Sequence, residues 1–183
     1  MSTEQRKGDY IRTWSGKSFY PLHPDLEQID IQDIAWALSM QCRYAGHVKH
    51  FYSVAQHSVY VSQACDEADA LWGLLHDASE AYIQDIIRPV KIHLPEYKEI
   101  EARWEKVIAE KFNLCWPMPE SVKRADEAVF ATEVIQLRPK VHSSMNSTES
   151  PIGGLKITEW SPEQARRKFL LRFNALFYLE VAI

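Results

Sequence analysis

His76 and Asp77 stand side by side in the run Leu-Leu-His-Asp-Ala-Ser-Glu-Ala-Tyr, residues 74–82. Leu71, Leu74, Leu75, Ala78 and Tyr82 recur at helical spacing, which sets the pair beside an apolar face. An imidazole and a carboxylate there are costly to bury without compensation, and a divalent cation would compensate both. Two partners occur in similar surroundings: His57, 19 residues before His76, and Asp126, 49 residues after Asp77. On a helix His57 shares a face with Val54 and Val61, and Asp126 shares one with Val122, Val129 and Phe130. Three predicted helices thus each bring a metal-ligating group to an apolar stripe.

Taken singly, each group has an ordinary explanation. A lone histidine on an apolar face is more often a hydrogen-bonded core residue, and an aspartate on a mixed face is more often a salt-bridge or capping group. The order His57, His76-Asp77, Asp126 within one helical stretch carries the metal reading instead. Mixed imidazole and carboxylate donors suit one divalent ion among Mn, Co, Fe, Ni and Zn, with Mg also open, better than Ca²⁺. Four protein donors would leave coordination positions for water and a phosphate oxygen, as catalytic sites do and closed structural sites do not.

The ligand-bearing segments resemble the HD-domain metal-dependent phosphohydrolases, a superfamily named for its His…His-Asp…Asp ligand set. Residues 76–91, His-Asp-Ala-Ser-Glu-Ala-Tyr-Ile-Gln-Asp-Ile-Ile-Arg-Pro-Val-Lys, are similar to bacterial 5′-deoxynucleotidases. Residues 33–47 and the run Ser-Val-Ala-Gln-His-Ser are more like small prophage and phage members, some of which are deoxynucleoside triphosphohydrolases. The resemblance covers roughly residues 10–135 and leaves 139–160 unmatched. It implies an all-α HD-domain bundle and one bound metal. The implied substrate is a small (deoxy)nucleotide, most simply a deoxynucleoside monophosphate that loses phosphate, with triphosphate removal as the alternative. Members commonly form dimers or hexamers, which leaves room for a homo-oligomer.

Residue roles follow in the same way. Glu80, four after His76 and three after Asp77, would share their side of a helix and could take a proton from the attacking water. The residues matching Glu80 and Asp85 belong to the catalytic apparatus of similar deoxynucleotidases. Asp85 is expected where the helix ends, as an acid for the leaving 5′-oxygen. Arg43, 14 residues before His57, matches the phosphate-binding arginine, whose guanidinium can hold two oxygens at once. Lys91 is a second candidate cation. Tyr44, His47 and His50 are candidates for the nucleoside or phosphate pocket. Two non-enzymatic readings stand beside these: a nucleotide sensor on the same fold, and a helical structural protein with chance polar groups.

The elements that must position these groups are mostly helical. Helices are predicted near 31–44, 53–65, 67–83, 96–113, 120–137 and 162–180, about six in all. Ser161, Pro162 and Gln164 supply a capping box for the last, and Phe169, Phe173, Leu176 and Phe177 give it an apolar stripe read as core. Residues 10–22 suggest a small β-hairpin around Ser15-Gly16, and 139–160, with Gly153-Gly154, read as an extended surface loop. At 183 residues the chain is expected to form one domain spanning 1–183, with its core over 30–137. A net charge of −4 argues against a nucleic-acid polymer as partner. Cys42, Cys65 and Cys115 are scattered, the start Met-Ser-Thr-Glu-Gln-Arg-Lys is no secretory leader, and no apolar run suits a membrane span, so a cytoplasmic location is expected.

Overall fold

A computed structural model describes residues 9–139 and 147–178. The polar start, residues 140–146 of the expected loop, and residues 179–180, to which the last helix is expected to run, lie outside the described residues. The described chain is all-α apart from one hairpin. Strands β1 (Ile11–Arg12) and β2 (Ser18–Phe19) pair antiparallel, Ile11 opposite Phe19 and Arg12 opposite Ser18. Gly16 sits in the connecting turn at φ +88°, a conformation a side chain would strain. Ser15 anchors that turn to the helical body, its backbone N–H donating to Asp33 Oδ1 at 2.8 Å and its hydroxyl to Oδ2 at 2.7 Å.

Eight α-helical segments follow: α1 (Ile31–Met40), α2 (Val54–Ala64), α3 (Ala70–Leu75), α4 (Glu80–Ile83), α5 (Arg88–Lys91), α6 (Pro95–Lys111), α7 (Glu120–Leu137) and α8 (Pro162–Phe177). The capping box at Ser161 and Gln164 is formed, and α7 runs over the predicted residues. Two expected helices are shorter than their periodicity. The first ends at Met40, because residue 42 leaves it to pair with Ser53 as an isolated bridge, and Tyr44 and Ala45 then take left-handed backbone. The expected helix 67–83 is broken after Leu75, where Ala78 and Glu80 N–H reach back only three residues, to Leu75 and Asp77 carbonyls. That tightening turns the chain at His76–Ser79 while keeping apolar residues inward.

The core has two parts. In one, α1, α2, α3, α6 and α8 bury Leu38, Leu74, Trp104, Ile108 and Phe169, with Tyr82 stacked on Trp104 at 4.3 Å between ring centroids. In the other, Val61, Trp72, Val122, Val129 and Ile157 join α2, α3 and α7. The segment 147–160 has no helix or strand and is mostly exposed, as expected of a surface loop, and it lies along α7. Ile152 N–H donates to Thr132 Oγ1 and Ile157 N–H to Gln136 Oε1, each at 2.9 Å, and the Ile157 side chain is buried. Gly73 is where α3 meets α2 most closely, since a Cβ there would lie 2.6 Å from Cys65 Sγ and 3.1 Å from Ser62 Cα. This contact brings α3 against the C-terminal end of α2.

Candidate metal centre

Because α2, α3 and α7 pack together, His57 from α2, His76 from the end of α3 and Asp126 from α7 converge. Their ligand atoms all lie within 4.8 Å of one another. His57 Nε2 faces His76 Nε2 at 3.2 Å, and Asp126 Oδ1 is 3.0 Å from the first and 3.9 Å from the second. Two nitrogens each about 2.0–2.1 Å from one tetrahedral or octahedral ion are roughly 2.9–3.4 Å apart, so the observed separation suits a shared ion. Asp77 lies beside this group, with Oδ2 3.1 Å from His76 Nε2 and 3.7 Å from His57 Nε2.

The far side of each imidazole is fixed. His76 Nδ1 donates to the Gly73 carbonyl at 2.8 Å, and His57 Nδ1 donates to Glu133 Oε1 at 2.6 Å. A carbonyl and a carboxylate only accept, so both protons sit on Nδ1 and both Nε2 atoms turn toward the centre. Burial opposes charging His76, but Asp77 beside it outweighs that and raises its pKa to about 9. His57 is raised too, with Glu133 and Asp126 overcoming burial and Arg43. Both aspartates are lowered despite burial, Asp77 chiefly by His76 and Asp126 chiefly by His57. The centre therefore attracts cationic charge, and a metal ion would take the place of Nε2 protons. The group His57, His76 and Asp126 can hold a metal ion.

Glu133 was missed in reading the sequence. It is fully buried on α7, two turns after Asp126, and accepts from Tyr52 hydroxyl at 2.7 Å and Tyr44 hydroxyl at 2.5 Å as well as from His57. Burial would raise its pKa, but Arg43 and His57 bring it down to about 2. The stripe Val122, Asp126, Val129, Glu133 held the signal, since the second carboxylate repeats the first at i+7.

The remaining candidates divide into two groups. Arg43 reaches the centre, with Nη1 3.4 Å from Asp77 Oδ2 and Nη2 3.3 Å from Glu133 Oε2, while its buried Nε has no partner. Tyr44 is brought there by backbone at φ +57°, followed by Ala45 at +50° and Gly46 at +81°. Non-glycine residues held so cost about 1–3 kcal/mol each, and such strain gathers at functional sites. Glu80 opens α4, and burial, with Asp77 and then Asp85 beyond it, holds its carboxyl well above the usual carboxylate range. Asp85 and Lys91 pair with each other at 2.8 Å, and Lys91 also pairs with Glu101. His47 is exposed at the end of the turn Arg43–Gly46, and His50 Nδ1 lies 3.2 Å from the Phe51 carbonyl. Burial and Asp69 push the Cys65 thiol up to about 11, which leaves it unsuited to nucleophilic work.

Fold and site together define an all-α protein with a buried two-histidine, carboxylate-lined centre able to hold a metal ion. The chain is 42% identical over 173 residues to the protein described as "Uncharacterized protein YfdR" of Escherichia coli (strain K12), covering 91% of this chain and 95% of that one. It belongs to the YfdR family. It is also 28% identical over 192 residues to "Uncharacterized protein RCAP_rcc00048" of Rhodobacter capsulatus, across 93% of this chain and 96% of the other. Neither description names an activity, and no family model matches the chain. Among the described residues, no helix is long and apolar enough to cross a membrane.

Proposed function

We propose that this protein is an HD-domain phosphohydrolase, dependent on one divalent ion, that releases phosphate from 5′-deoxynucleoside monophosphates. The observation that carries this reading is the facing of His57 and His76 Nε2 at 3.2 Å, with both Nδ1 atoms engaged elsewhere and Asp77 and Asp126 alongside. It agrees with the ligand order that the sequence resemblance implies. A divalent ion held by these four residues supplies polarisation of the phosphorus–oxygen bond and a more acidic bound water.

The chain's own groups do the rest. Arg43 receives phosphate oxygens, because its two ion pairs are long and its Nε is unspent. Glu80 accepts the proton of the attacking water at its carboxylate, and burial near Asp77 and Asp85 gives that carboxylate the high proton affinity a base requires. Asp85 spends Oδ1 on Lys91, so we assign the pair to holding the segment after α4 in place rather than to proton delivery. With Lys91 so occupied, Arg43 is the cation in contact with the cluster among the described residues. One such cation supports a monophosphate better than a triphosphate tail.

The test is a panel of nucleoside and deoxynucleoside mono- and triphosphates with Mn²⁺, Co²⁺ or Zn²⁺, scoring phosphate against triphosphate release. Phosphate from dAMP and its relatives is expected. Intact monophosphates together with triphosphate from dATP would replace the monophosphatase reading by triphosphohydrolysis. Tight nucleotide binding without turnover would make the protein a sensor.

A further inference from the structure

Glu133 lies behind the centre rather than in it, yet it is the most heavily bonded carboxylate in the described chain. It lies behind His57, 2.6 Å from Nδ1, and is itself held by Tyr52, Tyr44 and Arg43. A carboxylate so placed fixes the ring's tautomer and orientation and raises the basicity of Nε2, the nitrogen that faces His76. Its other oxygen faces Arg43 Nη2 at 3.3 Å, and Arg43 Nη1 in turn faces Asp77 Oδ2 at 3.4 Å. One buried group thus ties a ligand histidine to the phosphate-receiving arginine.

We infer that Glu133 is the positioning residue of the metal centre, setting its affinity through His57 and holding Arg43 against Asp77. The inference rests on the proposed metal site. It goes beyond that reading in assigning the affinity of the ion to a residue that does not ligate it.

The experiment measures Mn²⁺ and Zn²⁺ affinity by chelator competition in wild type, Glu133→Gln and Ser62→Ala. Glutamine keeps an oxygen for His57 but loses the charge, and a 10- to 100-fold weaker affinity is expected. Ser62→Ala, which removes a 2.7 Å hydrogen bond to the Ala70 carbonyl and a 3.0 Å one from Arg172 Nε, neither of them to a residue of the centre, reports the effect of lost stability alone and should leave the affinity within about twofold. Should Glu133→Gln fail to fold, the wild type still decides, through the ¹⁵N–¹H spectrum of its imidazoles with Zn²⁺ bound. His57 is then expected as the Nδ1–H tautomer, with a downfield proton retained against exchange. Metal affinity unchanged in Glu133→Gln, or a His57 protonated at Nε2, would overturn the role of Glu133 while leaving the metal site standing. A wild type that binds neither ion would overturn both.

Discussion

Glu80 and Glu133 show how one small region pushes the proton affinities of two carboxylates in opposite directions. Both are withdrawn from water, which favours the neutral acid. Arg43 and His57 reverse that for Glu133, bringing it to about 2, whereas Asp77 and Asp85 reinforce it for Glu80. Environment therefore separates a carboxylate that must stay charged from one suited to exchange protons. Replacing Glu80 by Gln should lower turnover about 10²-fold or more, with metal affinity and KM close to wild type, because it removes a proton acceptor and no ligand. Steady-state kinetics alongside a metal titration would show this, and activity within twofold of wild type would make Glu80 scaffold. The ligand residues were legible because each interrupts an apolar stripe. Glu133 was harder to see, because the helix carrying it also bears Glu120 and Glu127, and only its place on the stripe of Val122, Asp126 and Val129 sets it apart from them.

Helices are legible where periodicity is sustained, as in α7, or reinforced by a cap, as in α8, and become illegible where backbone rather than side chain decides. The left-handed turn at Tyr44 and Ala45 has only Gly46 to announce it, and Gln84 adopts φ +57°, ψ 166° just before Asp85 with no glycine at all. Tertiary packing sets both, and both flank the centre. Helix α6 adds a charge conflict of its own. Glu105 is half-buried beside Glu101 on that helix, and partial burial and Glu101 raise its pKa from 4.5 to about 7 although Lys91 opposes the shift. The folded state thus binds more protons than the unfolded chain between those two values. Stability from the neutral form is full below the lower value and is lost as pH rises to the upper one. Glu105→Gln keeps the group neutral at every pH. In metal-free protein it should match wild type near pH 5 and exceed it at pH 8 by about 1 kcal/mol, or roughly 2–4 °C in Tm. Thermal melts at the two pH values measure the difference, and an equal shift at both would mean that titration of Glu105 is not the cause.

For the whole molecule, the centre exists only when three distant segments are packed. Residue 57 on α2, residue 76 after α3 and residue 126 on α7 are brought together by the close α2–α3 approach at Gly73 and by the second core around Val61 and Val129. An unfolded chain offers no comparable arrangement, so metal binding must appear as folding free energy. An ion at a hundred times its Kd stabilises by about 2.7 kcal/mol, which for a chain of this size is roughly 5–10 °C in Tm. Mn²⁺ or Co²⁺ should raise the wild-type Tm by that amount. Asp126→Asn is the informative variant, because its side chain is 39% exposed and the change leaves the core intact. It should melt close to wild type without metal and lose most of the metal-induced shift. An undiminished shift would place the ion away from His57, His76 and Asp126, and the phosphohydrolase proposal would lose its physical basis with it.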